Sequence, residues 1–183
     1  FTHTVYNSCN PAFVEWGRRV GVDNMYLYMG KLGLLAKTGI DLSGEAGTII
    51  HKQENVGAVE LATMSFGQSF QITPVQMLRA VAAIVNGGKL VTPHFGLYTS
   101  SSDGSVVNEF AYSTEEEAIS LQTSEMMKQI LEGVVSEGGG PKAYIEGYSI
   151  GGKTATSQKL PRGSGKYISS FIGFAPAENP QVI

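Results

Sequence analysis

The spacing of apolar residues along this chain switches between helical and extended, and the switches predict its elements. Phe13, Trp16 and Val20 keep helical spacing behind Asn10, which can cap, and Pro11 at the first helical position, until Gly21 ends the run. A second short helix is predicted from Asp23, with Met25, Leu27, Tyr28 and Leu32 inside and Gly33 as its stop. Gly39 to Gly57 reads as a long irregular connection, in which Thr48-Ile49-Ile50 is too short to assign. The clearest helix opens at Thr73-Pro74-Val75-Gln76, where Thr, Pro and Gln form a capping box. Met77, Leu78, Val81, Ile84 and Val85 supply its apolar face and Gly87-Gly88 its end.

Leu90-Val91-Thr92 and the segment from Phe95 to Tyr98 read as strands, and Ser102-Asp103-Gly104-Ser105 as a turn before Val106-Val107. Thr123 can cap a further helix with Met126, Met127, Ile130, Leu131, Val134 and Val135 inside, stopped by Gly138-Gly139-Gly140-Pro141. Beyond it the period changes. A strand is predicted from Tyr144 through Ser157 and a second from Tyr167 to Ala175, joined as an antiparallel pair by a loop carrying Pro161, Gly163 and Gly165. Helices followed by a hairpin indicate a mixed α+β fold, with helices packed on an antiparallel sheet. No internal repeat is visible.

Composition narrows the function classes. The 183 residues are 42% hydrophobic and carry 13 Lys+Arg against 16 Asp+Glu, a net charge of −3. That balance suits a folded core and lacks the basic surplus a phosphate-binding face needs, so nucleic acid is not an expected partner. The single Cys9 excludes an intrachain disulfide, and His3, His51 and His94 lie too far apart for a short-spaced metal motif, so no metal is expected. No apolar run has the length of a membrane span or a signal peptide. Phe1 stands where a methionine would open a complete chain. Gln181-Val182-Ile183 reads as a strand beginning after the turn-like Glu178-Asn179-Pro180, so an excised piece of a longer protein is expected.

Gly147-Tyr148-Ser149-Ile150-Gly151-Gly152-Lys153-Thr154 matches the phosphate-loop pattern G-x-x-x-x-G-K-[ST]. That chemistry requires a helix directly after the loop, whose first N–H groups hold the phosphates. Thr156, Ser157 and Pro161 follow instead, so a nucleotide hydrolase is the weaker reading.

A different pairing accounts for more of the chain. Ser8-Cys9-Asn10 precedes a helix, and Lys153-Thr154-Ala155-Thr156 sits on a late strand. Together they resemble the S-x-N and K-T-G motifs of penicillin-binding proteins and serine β-lactamases, whose remaining motif is S-x-x-K. Further segments resemble class B penicillin-binding proteins in the same order: Leu34 to Glu45, Ala62 to Gln68, Thr73 to Met77 and on through Asn86-Gly87-Gly88, and Phe171 to Pro176. The resemblance is to the peptidoglycan D,D-transpeptidases of cell division, elongation and sporulation, with a lean to the sporulation type. Lys37-Thr38-Gly39 spells the third motif in full but belongs to the Thr-Gly-Ile-Asp-Leu loop, where Lys37 is read as a solvated cation.

The resemblance implies acyl transfer from a peptidoglycan stem peptide ending in D-Ala-D-Ala, acylation by β-lactam antibiotics, and no cofactor. Ser8, Asn10 and Lys153 would be catalytic. Ser8 would relay the proton towards the leaving nitrogen, Asn10 would orient the motif lysine and the substrate amide, and Lys153 would supply positive potential for the substrate carboxylate. Thr154 and Thr156 would bind that carboxylate, with the Thr156 N–H as an oxyanion donor. No serine is followed three residues later by lysine, and the only near match, Thr156-Ser157-Gln158-Lys159, begins with threonine and lies inside the lysine strand. The nucleophile motif is therefore expected upstream of Phe1, and residues 1–183 are expected to be a partial transpeptidase domain, inactive alone. Ala155 stands where the family has glycine, and its methyl is expected to crowd the nucleophile helix. The parent is expected outside the cytoplasmic membrane, anchored to it and associated with a cell-wall glycosyltransferase. A degenerate, non-catalytic scaffold is the alternative.

Overall fold

The computed structural model describes residues 1–112, 116–159, 161 and 163–183. Helices α1 (Thr2–Tyr6) and α2 (Asn10–Lys31) open the chain, followed by β1 (Ile49–Ile50), α3 (Ala58–Met64), β2 (Phe70–Gln71) and α4 (Pro74–Val85). Then come β3 (Lys89–Leu90), β4 (Tyr98–Ser100), β5 (Val106–Glu109), β6 (Glu116–Glu117), α5 (Leu121–Ser136), β7 (Gly151–Gln158) and β8 (Tyr167–Phe174). All four described ladders are antiparallel pairs, β1 with β2, β3 with β6, β4 with β5 and β7 with β8. The α+β expectation holds.

The core sits where α4, α5 and β8 meet. Val81 and Val85 of α4 pack on Leu131 of α5, Phe174 of β8 and Ala177, with Ile84, Met127 and Ile172 at the margin. Each such side chain, once fully buried, contributes about 1.5–3 kcal/mol. Val5 of α1 packs on Ile130 and Val134 on the other side of α5, so α5 is the common support of the chain's beginning and end. Strand β7 packs against the same helix.

Several elements differ from expectation for local reasons. Cys9, not Asn10, is the N-cap of α2, so Asn10 is its first helical residue and Pro11 lies in the first turn. The first helical run ends at Gly21 as expected: its backbone is non-helical (φ 77°, ψ 166°), so α2 is two helices meeting at a kink. Asp23 does not cap, because its carboxylate accepts a hydrogen bond from Gln53 Nε2 at 2.9 Å. Beyond the kink the buried face is Tyr26 and Met29, one residue round from Leu27 and Tyr28, which are exposed. Tyr26 turns inward because its hydroxyl donates to the His51 carbonyl at 2.6 Å. Helix α3 was not expected, since its N-cap is Gly57, which has no side chain to announce a cap. The Glu60 carboxylate accepts the Gly57 N–H at 3.0 Å.

The Thr73 capping box on α4 is present, with Gln76 N–H on Thr73 Oγ1 at 3.1 Å and Thr73 N–H on Gln76 Oε1 at 2.8 Å. Met77 and Leu78 are exposed, and Gln76 is wholly buried in their place. Its amide donates to the Ala36 carbonyl and to Thr48 Oγ1. Ser120 rather than Thr123 caps α5, accepting the Thr123 N–H at 3.2 Å, and Met126 points outward. Residues Tyr144 to Ile150 are not strand. Pro141–Ala143 makes a short 3-10 turn and the Tyr148 N–H closes on the Ile145 carbonyl, so this backbone bonds locally before β7 begins at Gly151. The turn at Ser102–Ser105 is as expected, with Asp103 accepting from Ser101 and Ser105.

Candidate active site

Ser8 lies in the corner between α1 and α2. Its backbone is in the left-handed region (φ 48°), which costs a residue with a β-carbon about 1 kcal/mol and is held by its surroundings. The Ser8 N–H bonds the Val5 carbonyl and the Cys9 N–H the Thr4 carbonyl, closing α1 under the corner. The corner is fixed to α5 by Val5 in the core and by the Gly139 N–H on the Tyr6 carbonyl at 3.1 Å.

Lys153 approaches from the opposite end of the chain. A β-carbon on Gly151 would come within 2.3 Å of the Phe174 ring, and one on Gly152 within 2.4 Å of the Phe171 ring. The glycines before the lysine thus let two aromatic rings of β8 cross over β7 and hold it against its partner. From this strand Lys153 Nζ donates to Ser8 Oγ, 145 positions away, and to the Thr154 carbonyl at 3.0 Å. An ammonium group has three protons, so one remains uncommitted among the described residues. Burial pushes the Lys153 pKa below the ordinary lysine value, because the cleft wall solvates its charge less well than water does.

The other expected residues gather less tightly. Asn10 is exposed two positions from Ser8, and its amide makes no hydrogen bond among the described residues, leaving both its donor and acceptor sides available. In the β7–β8 ladder Lys153 stands opposite Ile172, Thr154 opposite Phe171, Ala155 opposite Ser170 and Thr156 opposite Ser169. Strand alternation therefore puts Lys153 and Ala155 on one face, and Thr154 and Thr156 on the other. Thr154 lines a recess of about 460 Å³ with Phe171 and residues Gly139 to Ala143, whereas Ala155 and Thr156 are exposed. Phe171 and the Gly139 loop are parts of this site that sequence reasoning did not assign. The glycine run was legible only as a helix stop.

The two decoys resolve differently. Gly151 to Thr154 is strand rather than loop, and among the described residues no helix follows whose N-terminal N–H groups could hold phosphates. The nucleotide reading is overturned. Thr38 of the Lys37-Thr38-Gly39 triplet is 3% exposed, and both its hydroxyl (2.6 Å) and its N–H (2.7 Å) bond Glu45 Oε1. Burial works against the Glu45 charge, but the Thr38 and Gly39 hydrogen bonds and the nearby Lys37 outweigh it and hold the carboxyl below its usual value. That triplet staples a loop. Among the described residues no three His, Cys, Asp or Glu side chains converge in a way that could hold a metal ion.

A serine before α2 and a lysine on β7 are thus joined across the chain. All of residues 1–183 match the model of the penicillin binding protein transpeptidase domain. The chain belongs to that family. It is 43% identical, over its whole length, to stage V sporulation protein D of Bacillus subtilis, covering 29% of that protein. It is 31% identical, over 96% of its length, to the probable peptidoglycan D,D-transpeptidase PenA of Neisseria meningitidis, again covering 29%. Penicillin binding protein 3 of Mycobacterium tuberculosis, solved in complex with ampicillin, superposes with a TM-score of 0.88 at 31% identity. That match covers 98% of this chain and 42% of the solved one. The chain thus spans about three-tenths of the length of the curated relatives it matches. Among the described residues no helix is long and apolar enough to cross a membrane.

Proposed function

We propose that this chain supplies one wall of the acyl-transfer cleft of a peptidoglycan D,D-transpeptidase, a protein that cross-links stem peptides ending in D-Ala-D-Ala and is acylated by β-lactams. The observation that carries the reading is the hydrogen bond from Lys153 to Ser8. It unites the two motif residues in one place, and the family match over 1–183 and the ampicillin complex of a 31% identical relative support it.

In this reading the nucleophilic serine and its lysine come from outside residues 1–183, which form part of the transpeptidase domain and are inactive alone. A serine attacks the penultimate D-Ala carbonyl, the terminal D-alanine leaves, and an amine of a neighbouring stem releases the acyl group. Ser8 passes a proton to the leaving nitrogen, and Lys153, by donating to its oxygen, turns the Ser8 hydroxyl proton outward for that role. The uncommitted proton of Lys153 meets the substrate carboxylate where the substrate lies along the edge of β7, which the Thr154 and Thr156 hydroxyls reach from the other face, and the Thr156 N–H stabilises the oxyanion. Asn10 orients the incoming lysine and the substrate amide. No cofactor takes part. The Ala155 methyl, on the same face as Lys153, points where the nucleophile segment would pack. The parent acts on the outer face of the cytoplasmic membrane, anchored there, beside a cell-wall glycosyltransferase.

The test is fluorescent-penicillin labelling of the full-length protein, with residues 1–183 alone as control. Labelling of the full-length protein only is expected. Absence of labelling in both would sink the enzymatic reading in favour of a non-catalytic scaffold.

A further inference from the structure

Every residue of β4 and β5 is exposed, Tyr98, Val106 and Val107 by more than half of their surface. Among the described residues the two strands pair only with each other, and a two-stranded ribbon with no face against a core is marginal in water. Its root is nevertheless clamped. The Asp41 carboxylate accepts the N–H groups of Phe95 at 2.9 Å and Gly96 at 2.7 Å as the chain enters the hairpin. Where the chain leaves, the Tyr112 hydroxyl shares its proton between the Gly96 carbonyl at 2.8 Å and Asp41 at 3.2 Å, and His94 stacks on the Tyr112 ring. One carboxylate, on the loop that Thr38 and Glu45 staple, thus holds both ends of an uncovered ribbon.

What the ribbon presents is apolar and negative. Tyr98 stands opposite Glu109 and Ser100 opposite Val106, with Val107 as the extra residue of a bulge. The Phe110 N–H bonds the Leu97 carbonyl at 2.9 Å, which turns the Phe110 backbone groups towards β4. By alternation the N–H and C=O of Glu109 face away from β4, so the outer edge of β5 is an open ladder position beside a carboxylate and two valines. From Leu90 to Met127 the sequence holds no Lys or Arg but six carboxylates, those of Asp103, Glu109, Glu115, Glu116, Glu117 and Glu125. A second copy of this chain would set Asp103 and Glu109 against their own kind, and like charges across a strand pair are destabilising. A strand that carries Lys or Arg among β-branched residues meets both the charge and the apolar surface.

We infer that the outer edge of β5 is the docking site for a basic, β-branched strand of a partner protein. That strand pairs with the backbone of Val106 to Glu109 and sets its cations against Asp103 and Glu109, at the two ends of β5. The inference does not depend on the acyl-transfer reading, in which no residue of the hairpin takes part.

The test is fluorescence anisotropy and hydrogen exchange on the full-length protein with three capped eight-residue probes, alternating Lys with Val, Lys with Ser, and Glu with Val. Two or three new cross-strand pairs predict that the Lys/Val probe binds about 10-fold more tightly than either of the others, and it should slow amide exchange over residues 106–109. Glu109→Lys and Val107→Ser should each weaken it about 5-fold, whereas Glu137→Lys, the same change of charge at an exposed site after α5, should stay within about 2-fold. The three substituted side chains are exposed, and thermal melts check the fold. Equal binding of the Lys/Val and Lys/Ser probes, or equal losses in Glu109→Lys and Glu137→Lys, would reduce the contact to bulk charge and overturn the inference. Amides 106–109 already protected in the full-length protein without a probe would overturn it by giving the edge to that protein's own remaining chain. Self-association abolished by Val107→Ser would overturn it by giving the edge to a second copy.

Discussion

Lys37-Thr38-Gly39 and Lys153-Thr154-Ala155 are nearly the same three letters, and the fold gives them opposite fates. In the first the threonine is buried and spent on Glu45, while the lysine is exposed. In the second the lysine is half-buried, its pKa lowered by that burial, and it reaches a serine 145 positions away. The first triplet closes its hydrogen bonds within eight residues and is structurally complete. The second keeps an ammonium proton and two threonine hydroxyls without partners among the described residues. Uncommitted polar capacity beside a charge, held by distant parts of the chain, distinguishes the second triplet from the first.

The sharpest way to break this comparison is to remove each lysine from the full-length protein and measure the second-order rate of acylation by benzylpenicillin. Lys153→Met is expected to lower it by about 100-fold or more, the scale of losing one preorganised electrostatic contact. Lys37→Met should stay within about 2-fold of the parent. A smaller effect is expected at Ala155. If its methyl crowds the nucleophile segment, overpacking of about 1–3 kcal/mol is relieved in Ala155→Gly, which should then acylate roughly 10-fold faster. An unchanged rate would show that the methyl is accommodated.

Glu45→Gln should leave acylation intact and lower thermal stability by about 1 kcal/mol, a modest figure because Glu45 is partly open to water. The folded Glu45 pKa lies below its ordinary value, so its contribution is present above that ordinary value and lost as pH falls through the folded one. Acid melting curves of Glu45→Gln should therefore converge with the parent's at low pH. Smallest, and only directional, is the alkaline limb of acylation. Because the Lys153 pKa is lowered, the rate should begin to fall at a lower pH than an ordinary lysine would give, and Lys37→Met should not move that limb.

Much of this could be read from the residues because it is written locally. The Thr73–Gln76 box, the glycine stops and the β7–β8 pairing each depend on neighbours in sequence, and each is present. What could not be read depends on distant partners. Which of Leu27, Tyr28 and Tyr26 turns inward is decided by the His51 carbonyl, and the burial of Gln76 by Ala36 and Thr48. Met77, Leu78 and Met126 satisfy helical periodicity, yet they face no neighbour that would bury them. Helix α3 begins at a glycine without a cap signal, and Tyr144 to Ile150 has strand-forming residues but spends its hydrogen bonds on turns. At the candidate site, motif spelling singled out Ser8 and Lys153, which the structure brings together. The separation of Thr154 and Thr156 from Lys153 by strand alternation required the fold.

The most direct test of the claim that Ser8 and Lys153 act as one unit is a double-mutant cycle on penicillin acylation of the full-length protein. Rates are compared for the parent, Ser8→Ala, Lys153→Met and the double variant. Coupled residues predict that the double variant loses little more than the worse single one. Losses that multiply, with each residue acting as though the other were absent, would contradict the account.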